Sequence, residues 1–197
     1  MNVLMFGWEF PPFKTGGLGT ACHGLTKGLA RNGVTVTFVM PVVPEGARAD
    51  FVKIIGANNL LKKIKIKQVP SLLTPYVTSH SYEREYSLLS SASHKEVYGK
   101  NLYEEVKRFS LVASHLAHNE SHDVIHAHDW LTYEAGINAK KKSKKPLVVH
   151  IHATEFDRTG NHPDPRISGL EYRGLREADR IIANSTYTKN NVVKHYK

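Results

Sequence analysis

Short apolar runs alternate with stretches of helical periodicity along this chain, and that alternation restricts its fold more than any other feature. Asn2 to Phe6 is an apolar run of the kind that opens a buried parallel sheet. A Pro/Gly loop from Gly7 to Gly17 follows, and then Leu18, Cys22, Leu25 and Leu29 recur at helical spacing. Arg31-Asn32-Gly33 supplies a basic last turn and a stop, and Val34 to Met40 is rich in β-branched residues. Strand, loop, helix and strand within about 40 residues is the length of one right-handed βαβ unit.

The pattern resumes after a less regular middle. Phe51 to Ile55 and Leu60 to Val69 read as strands, and residues 70 to 99, rich in Ser, Tyr and Pro, as a long excursion. Leu102, Val106, Phe109, Val112, Ala113 and Leu116 mark an amphipathic helix. Strands are expected over Asp123 to Ala127, Pro146 to Ile151 and Arg180 to Ala183, with helices over Trp130 to Lys141, Ile167 to Ala178 and from Ser185 onward. The expected class is α/β: a Rossmann-like, doubly wound, mostly parallel sheet with helices on both faces. In such sheets ligands bind beyond the C-terminal ends of the strands.

The 197 residues suffice for one well-packed domain. A net charge of +9 raises a polyanion partner, but the lysines concentrate in two stretches without interleaved aromatics. Lys62, Lys63, Lys65 and Lys67 alternate with Ile64 and Ile66, as on a half-exposed strand, and Lys140, Lys141, Lys142, Lys144 and Lys145 fall at a helix C-terminus, where cations are favoured. No nucleic-acid partner is expected. No apolar run reaches the roughly 20 residues of a membrane span, and no signal peptide is recognised. The single cysteine, Cys22, forms no internal disulfide and lies on an apolar helical stripe, so a buried core thiol and a cytoplasmic location are expected.

Three motifs carry candidate chemistry, each at an expected strand end. Lys14-Thr15-Gly16-Gly17-Leu18-Gly19 runs into a helix. Its glycines permit close backbone approach, the helix start offers unpaired N–H groups, and Lys14 adds a point charge for phosphate. It is neither a Walker A loop nor G-x-G-x-x-G, and as a bare spacing it is equally a loop that caps the helix. The second motif, His126-Ala127-His128-Asp129-Trp130, points its two histidines to one face by strand alternation and offers Asp129 as an N-cap. A metal reading would add His150 and His152, but no cysteine accompanies them and no metal is expected; His126 and His150 read as hydrogen-bonded core histidines. The third, His150-Ile151-His152-Ala153-Thr154-Glu155-Phe156-Asp157-Arg158, crowds imidazole, carboxylates and a guanidinium into one loop. That is chemistry suited to sugar hydroxyls, or else a salt-bridged surface loop.

Together these segments resemble a known family. MNVLMFGWEFPPFKTGGLGT resembles the opening of bacterial and archaeal glycogen and starch synthases, with their Lys-x-Gly-Gly-Leu signature, and HAHDWLTYEAGI resembles their second motif. HIHATEFDRTG, followed by ADRIIANSTYTK, is similar to related group 1 glycosyltransferases. The resemblance covers nearly the whole chain and is weakest over residues 45 to 100.

The resemblance implies a GT-B architecture and a retaining transfer of glucose from ADP-glucose or UDP-glucose to the non-reducing end of an α-1,4-glucan, without a metal or other cofactor. Residues 1–197 would be the N-terminal, acceptor-side domain. The family's chief donor-binding basic pair and E-x7-E motif are not found here, so the C-terminal nucleotide-sugar-binding domain would be the missing partner and the chain alone inactive. Lys14 would approach the donor phosphates, Gly16 and Gly17 the transferred sugar, and His152 would hydrogen-bond that glucose in the transition state as the catalytic residue. Asp129 and Trp130 would shape the acceptor side of the cleft. Glu155, Asp157 and Arg158 would lie near the donor sugar or the inter-domain contact. Cleft residues are expected to be solvent-exposed without the partner domain. The alternatives are a group 1 transferase with another acceptor and a non-catalytic glucan-binding module.

Overall fold

The computed structural model describes residues 1–11, 17–41, 43, 49–57 and 102–197. Lys14 and Gly16, the 62–67 lysine stretch, the strand expected over Leu60 to Val69 and the 70–99 excursion lie outside the described residues.

In chain order the elements are β1 (Asn2–Phe6), α1 (Gly17–Arg31), β2 (Thr35–Met40), β3 (Lys53–Gly56), α2 (Leu102–Asn119), β4 (Val124–His128), α3 (Trp130–Ser143), β5 (Leu147–Ile151), α4 (Glu155–Arg158), α5 (Pro165–Glu177), β6 (Arg180–Ala183) and α6 (Thr186–His195). Among the described residues six strands form one sheet in the order β3-β2-β1-β4-β5-β6. Every pairing between them is parallel, in line with the mostly parallel sheet expected. The chain starts in the middle of the sheet, winds outward to β3, and returns to place β4 on the other side of β1. The strand order therefore reverses between β1 and β4, the switch point at which open α/β sheets form a crevice.

Local sequence explains these elements. Asn32, Gly33 and Val34 turn their N–H groups back onto the carbonyls of Leu29 and Ala30, and Gly33 adopts φ 72°, so α1 stops where a glycine can take the left-handed conformation. The last turn of α3 holds Lys140, Lys141 and Lys142, and Lys140 pairs with Asp179 at 2.9 Å.

The core runs along β1, β2 and β4, where Leu4, Met5, Phe6, Phe38, Ile125 and Ala127 are all fully buried. Trp8 and Phe6 meet Phe109 of α2 edge to face, with Trp8 at 5.4 Å. Helix α3 is buried nearly all round because the sheet, α2 and α5 all pack on it. Gly136 brings it close: a Cβ there would lie 2.7 Å from Leu147 Cδ1 and 3.0 Å from Ala127 Cβ. A Cβ on Gly174 of α5 would lie 2.1 Å from Tyr133 Cδ2 of α3, so only glycine fits that crossing. Since Ala127 faces α3, strand alternation turns His126 and His128 to the opposite face of the sheet. At the far edge β6 is largely exposed, with Ile181 and Ile182 open to solvent.

A histidine cluster at the strand ends

His128 and His150 are register partners at the C-terminal ends of β4 and β5, beside the switch point. With His126 two residues behind and His152 one step beyond β5, four imidazoles stack on one face. Ring centroids are 4.4 Å apart for His126 and His128, and 4.3 Å for His150 and His152. His128 Nδ1 and His152 Nε2 share one hydrogen bond of 3.1 Å. Burial lowers all four ring pKa values: His126 to about 3, His150 and His152 to about 4, and His128 well below its usual range, with neighbouring imidazoles adding to the shift at His126, His128 and His150. At neutral pH these rings are uncharged hydrogen-bond partners.

Two expectations for this cluster need correction. His126 and His150 are not fully hydrogen-bonded core histidines: His126 Nε2 and His150 Nδ1 are buried without a partner among the described residues, as is His128 Nε2. Nor are the strand-end residues open to solvent, because His128, Asp129 and Trp130 are buried. The Trp130 ring, at the start of α3, lies 6.1 Å from that of Tyr103 of α2. Gly17, the first residue of α1, is exposed.

Asp129 occupies the N-cap position of α3, but its side chain makes no capping bond. Its Oδ1 instead accepts the N–H of His152 at 2.8 Å, and the carboxylate also draws on the N–H of Ala153. The Asp129 N–H donates to the carbonyl of His150 at 2.9 Å. One residue thus ties the end of β4 to the end of β5 and sets the start of the His152 loop. The backbone is strained to do so, at φ 57° and ψ 169°, a region populated mainly by glycine. Burial lifts the Asp129 carboxyl to about 6, against the two N–H groups and Arg158.

The loop after His152 closes on itself. Thr154 and Asp157 form a capping box at the start of α4: Asp157 Oδ2 accepts from the Thr154 N–H and hydroxyl, both at 2.8 Å, and its Oδ1 accepts from Asn191. Burial pushes the Asp157 carboxyl up, but the bonds from Thr154, Asn191 and Tyr187 outweigh it and hold the pKa low. Arg158 donates to Glu155 Oε2 at 3.1 Å, to the Ala153 carbonyl at 2.6 Å and to Glu171 Oε1. Glu155, Asp157 and Arg158 therefore form an internal network, partly buried, instead of a solvated surface loop.

Glu171 of α5 is the residue that motif reading missed. It is buried, and Oε2 accepts the Glu155 N–H at 2.9 Å and the Tyr196 hydroxyl. Burial lifts its carboxyl against the pull of Arg158, the Tyr196 hydroxyl and the Glu155 N–H, and Arg158 meets its Oε1 directly. The signal was present in the periodicity: Ile167, Glu171, Gly174 and Leu175 share the buried stripe of α5, and an acid on such a stripe requires a partner.

The arrangement offers fixed, neutral hydrogen-bonding groups beyond the strands. His152 is half-buried, and with Nε2 engaged by His128 its Nδ1 is the atom left for a ligand.

Comparison with known proteins agrees with this architecture. A family model described as the starch synthase catalytic domain matches residues 2–197. An uncharacterized glycosyltransferase of Methanocaldococcus jannaschii is 27% identical over 201 residues, covering 98% of this chain and 42% of that protein. A glycogen synthase of Mycobacterium tuberculosis is 24% identical over 211 residues, covering 98% of this chain and 44% of its own. Among solved structures, sucrose-phosphate synthase from Thermosynechococcus elongatus superposes with a TM-score of 0.67 at 14% identity, over 98% of this chain and 44% of that one, a likeness of fold alone. The chain spans less than half the length of these relatives.

Proposed function

The chain belongs to the starch synthase catalytic domain family, and on that footing we propose that it is the acceptor-side half of a retaining, metal-independent glycosyltransferase. The donor in this reading is ADP-glucose or UDP-glucose, and the acceptor is the non-reducing end of an α-1,4-glucan. The observation that carries the proposal is the family match over residues 2–197, with the His152 loop fixed at the switch point of the sheet.

In the transfer, the bond from glucose C1 to the diphosphate oxygen breaks and a bond from C1 to the acceptor hydroxyl oxygen forms. The hydroxyl proton leaves with the nucleoside diphosphate. Negative charge grows on the phosphate and positive character on the sugar ring. Lys14 and the Gly16-Gly17 pair, of which Gly17 begins α1, serve the phosphate and the transferred sugar, since a cation and helix N–H groups stabilise growing negative charge. His152, neutral at working pH, hydrogen-bonds the glucose through its ring or its backbone carbonyl. Asp129 positions His152 through the N–H bond, and Trp130 fixes the start of α3 beneath the acceptor side. Glu155, Asp157 and Arg158 hold the His152 loop in shape, and a second domain supplies the remaining donor contacts. No helix among the described residues is long and apolar enough to cross a membrane.

Titrating the chain with maltooligosaccharides, and separately with ADP-glucose, tests this by amide chemical shifts. Weak glucan binding that moves signals around Gly17, Asp129 and His152 is expected. A folded sample that responds to no glucan would transfer the proposal to another acceptor.

A further inference from the structure

Among the described residues, three ring nitrogens of one cluster have no hydrogen-bond partner. His126 Nε2, His128 Nε2 and His150 Nδ1 are each buried and unpartnered, and they come from two adjacent strands. Leaving a buried polar atom unsatisfied is costly, so three together call for an occupant. The three rings lie with centroids 4.4, 5.0 and 5.5 Å apart, and each contributes a nitrogen within 4.8 Å of the other two.

The arrangement favours a cation over a single hydrogen-bonding ligand: three ring nitrogens from adjacent strands lie within 4.8 Å of one another, and an imidazole offers one bare lone pair on a ring nitrogen. His128 Nδ1 is already hydrogen-bonded to His152 Nε2 at 3.1 Å. When His128 is the donor of that bond, its buried Nε2 is the lone pair. Metal-ligating histidines show this arrangement, with the second ring nitrogen donating to a fixed acceptor.

We propose that His126, His128 and His150 bind one first-row divalent ion of the borderline class, of which zinc is the type, with water as a fourth ligand. Imidazole sets suit zinc, copper, nickel and cobalt, and exclude magnesium and calcium, which require oxygen. Nitrogens around tetrahedral zinc lie about 3.4 Å apart, so the nitrogens need to close by no more than about 1.4 Å. The near-parallel rings of His126 and His150 also need to turn so that their lone pairs meet at the ion. The site stands apart from the sugar chemistry proposed above, which requires no ion. Its occupancy would lock the ends of β4 and β5 together directly behind the His152 loop.

The test is calorimetric titration of the EDTA-stripped, dialysed 197-residue chain, without an added histidine tag, with zinc chloride at pH 7.5. One zinc per chain is expected, together with a rise in melting temperature. Cobalt chloride should give the visible absorption of a tetrahedral site. His126→Gln and His150→Gln should each weaken zinc binding at least about tenfold, whereas His118→Gln, on the exposed side of α2, should leave it unchanged. Should the first two variants fail to fold, ring-nitrogen NMR of the unaltered chain decides. Zinc-dependent shifts at His126, His128 and His150 would support the site. Shifts confined to exposed histidines such as His118, absence of stoichiometric binding, or binding unaltered in His126→Gln and His150→Gln would overturn it.

Discussion

Asp129 is where most of the local constraints meet. Its carboxylate satisfies two backbone N–H groups in the His152 loop, its own N–H holds β5, and its backbone sits at φ 57°. Replacement by alanine removes the acceptor but keeps a Cβ in a strained conformation. Replacement by glycine removes the same acceptor and relieves the strain. Asp129→Ala should therefore destabilise the chain by about 2 kcal/mol, and Asp129→Gly by about 1 kcal/mol less than that. Urea unfolding of the two variants beside the unaltered chain measures both values. Equal losses would mean that the backbone of Asp129 carries no strain. Motif reading singled out Asp129, but as a helix cap, because a residue before a helix is read from its chain neighbours. Its actual partners, His152 and Ala153, are 23 and 24 positions away and become neighbours only through the β4–β5 register.

At the scale of elements, α5 and α6 hold the loop that α4 begins. Glu171 reaches from α5 to the Glu155 N–H and Arg158, and Tyr196 reaches Glu171 from the end of α6. Loss of the carboxylate leaves a partly buried guanidinium short of a partner and an N–H unsatisfied. Glu171→Ala should cost about 3 kcal/mol in urea unfolding, and Glu171→Gln, which keeps an acceptor in place, distinctly less. A glutamine variant as damaging as the alanine would assign the effect to the charge alone. The elements were the most legible part of the chain: short apolar, β-branched runs and 3.6-residue patterns, with Gly33 as a stop, located β1, α1, β2, β4, α3, β5, α5 and β6 to within one or two residues at most ends. Helix α3 was legible as a helix but not as a buried one. Its near-uniform burial follows from Gly136 and Gly174, whose role as contact points depends on Leu147 and Tyr133 across the packing.

For the whole molecule, the cluster makes stability depend on acid in a predictable sense. The four imidazoles have folded pKa values below the usual 6.5: about 3 for His126, about 4 for His150 and His152, and well below for His128. Between those values and 6.5 the unfolded chain binds more protons than the folded one. Their contribution is thus present above about pH 6.5 and is lost as pH falls toward 4 and 3. Asp129 acts in the opposite sense. Its carboxyl is lifted to about 6, so its contribution is present below 3.8 and is lost as pH rises through 6. Glu171, whose carboxyl burial also lifts, acts as Asp129 does, while Asp157, held low, adds to the loss in acid. Two raised carboxyls against four imidazoles leave the imidazoles dominant, and acidification destabilises the fold. In EDTA, to exclude competing ions, the melting temperature should fall by about 5 °C or more between pH 7.5 and pH 5.0. His126→Gln, with one buried imidazole fewer, should show a shallower fall. A melting temperature that holds or rises over this range would mean that the rings accept protons without cost. The rings would then titrate near their ordinary value of about 6.5, and the neutral hydrogen-bonding groups of the proposed sugar site would be lost below that pH instead of persisting toward about pH 4.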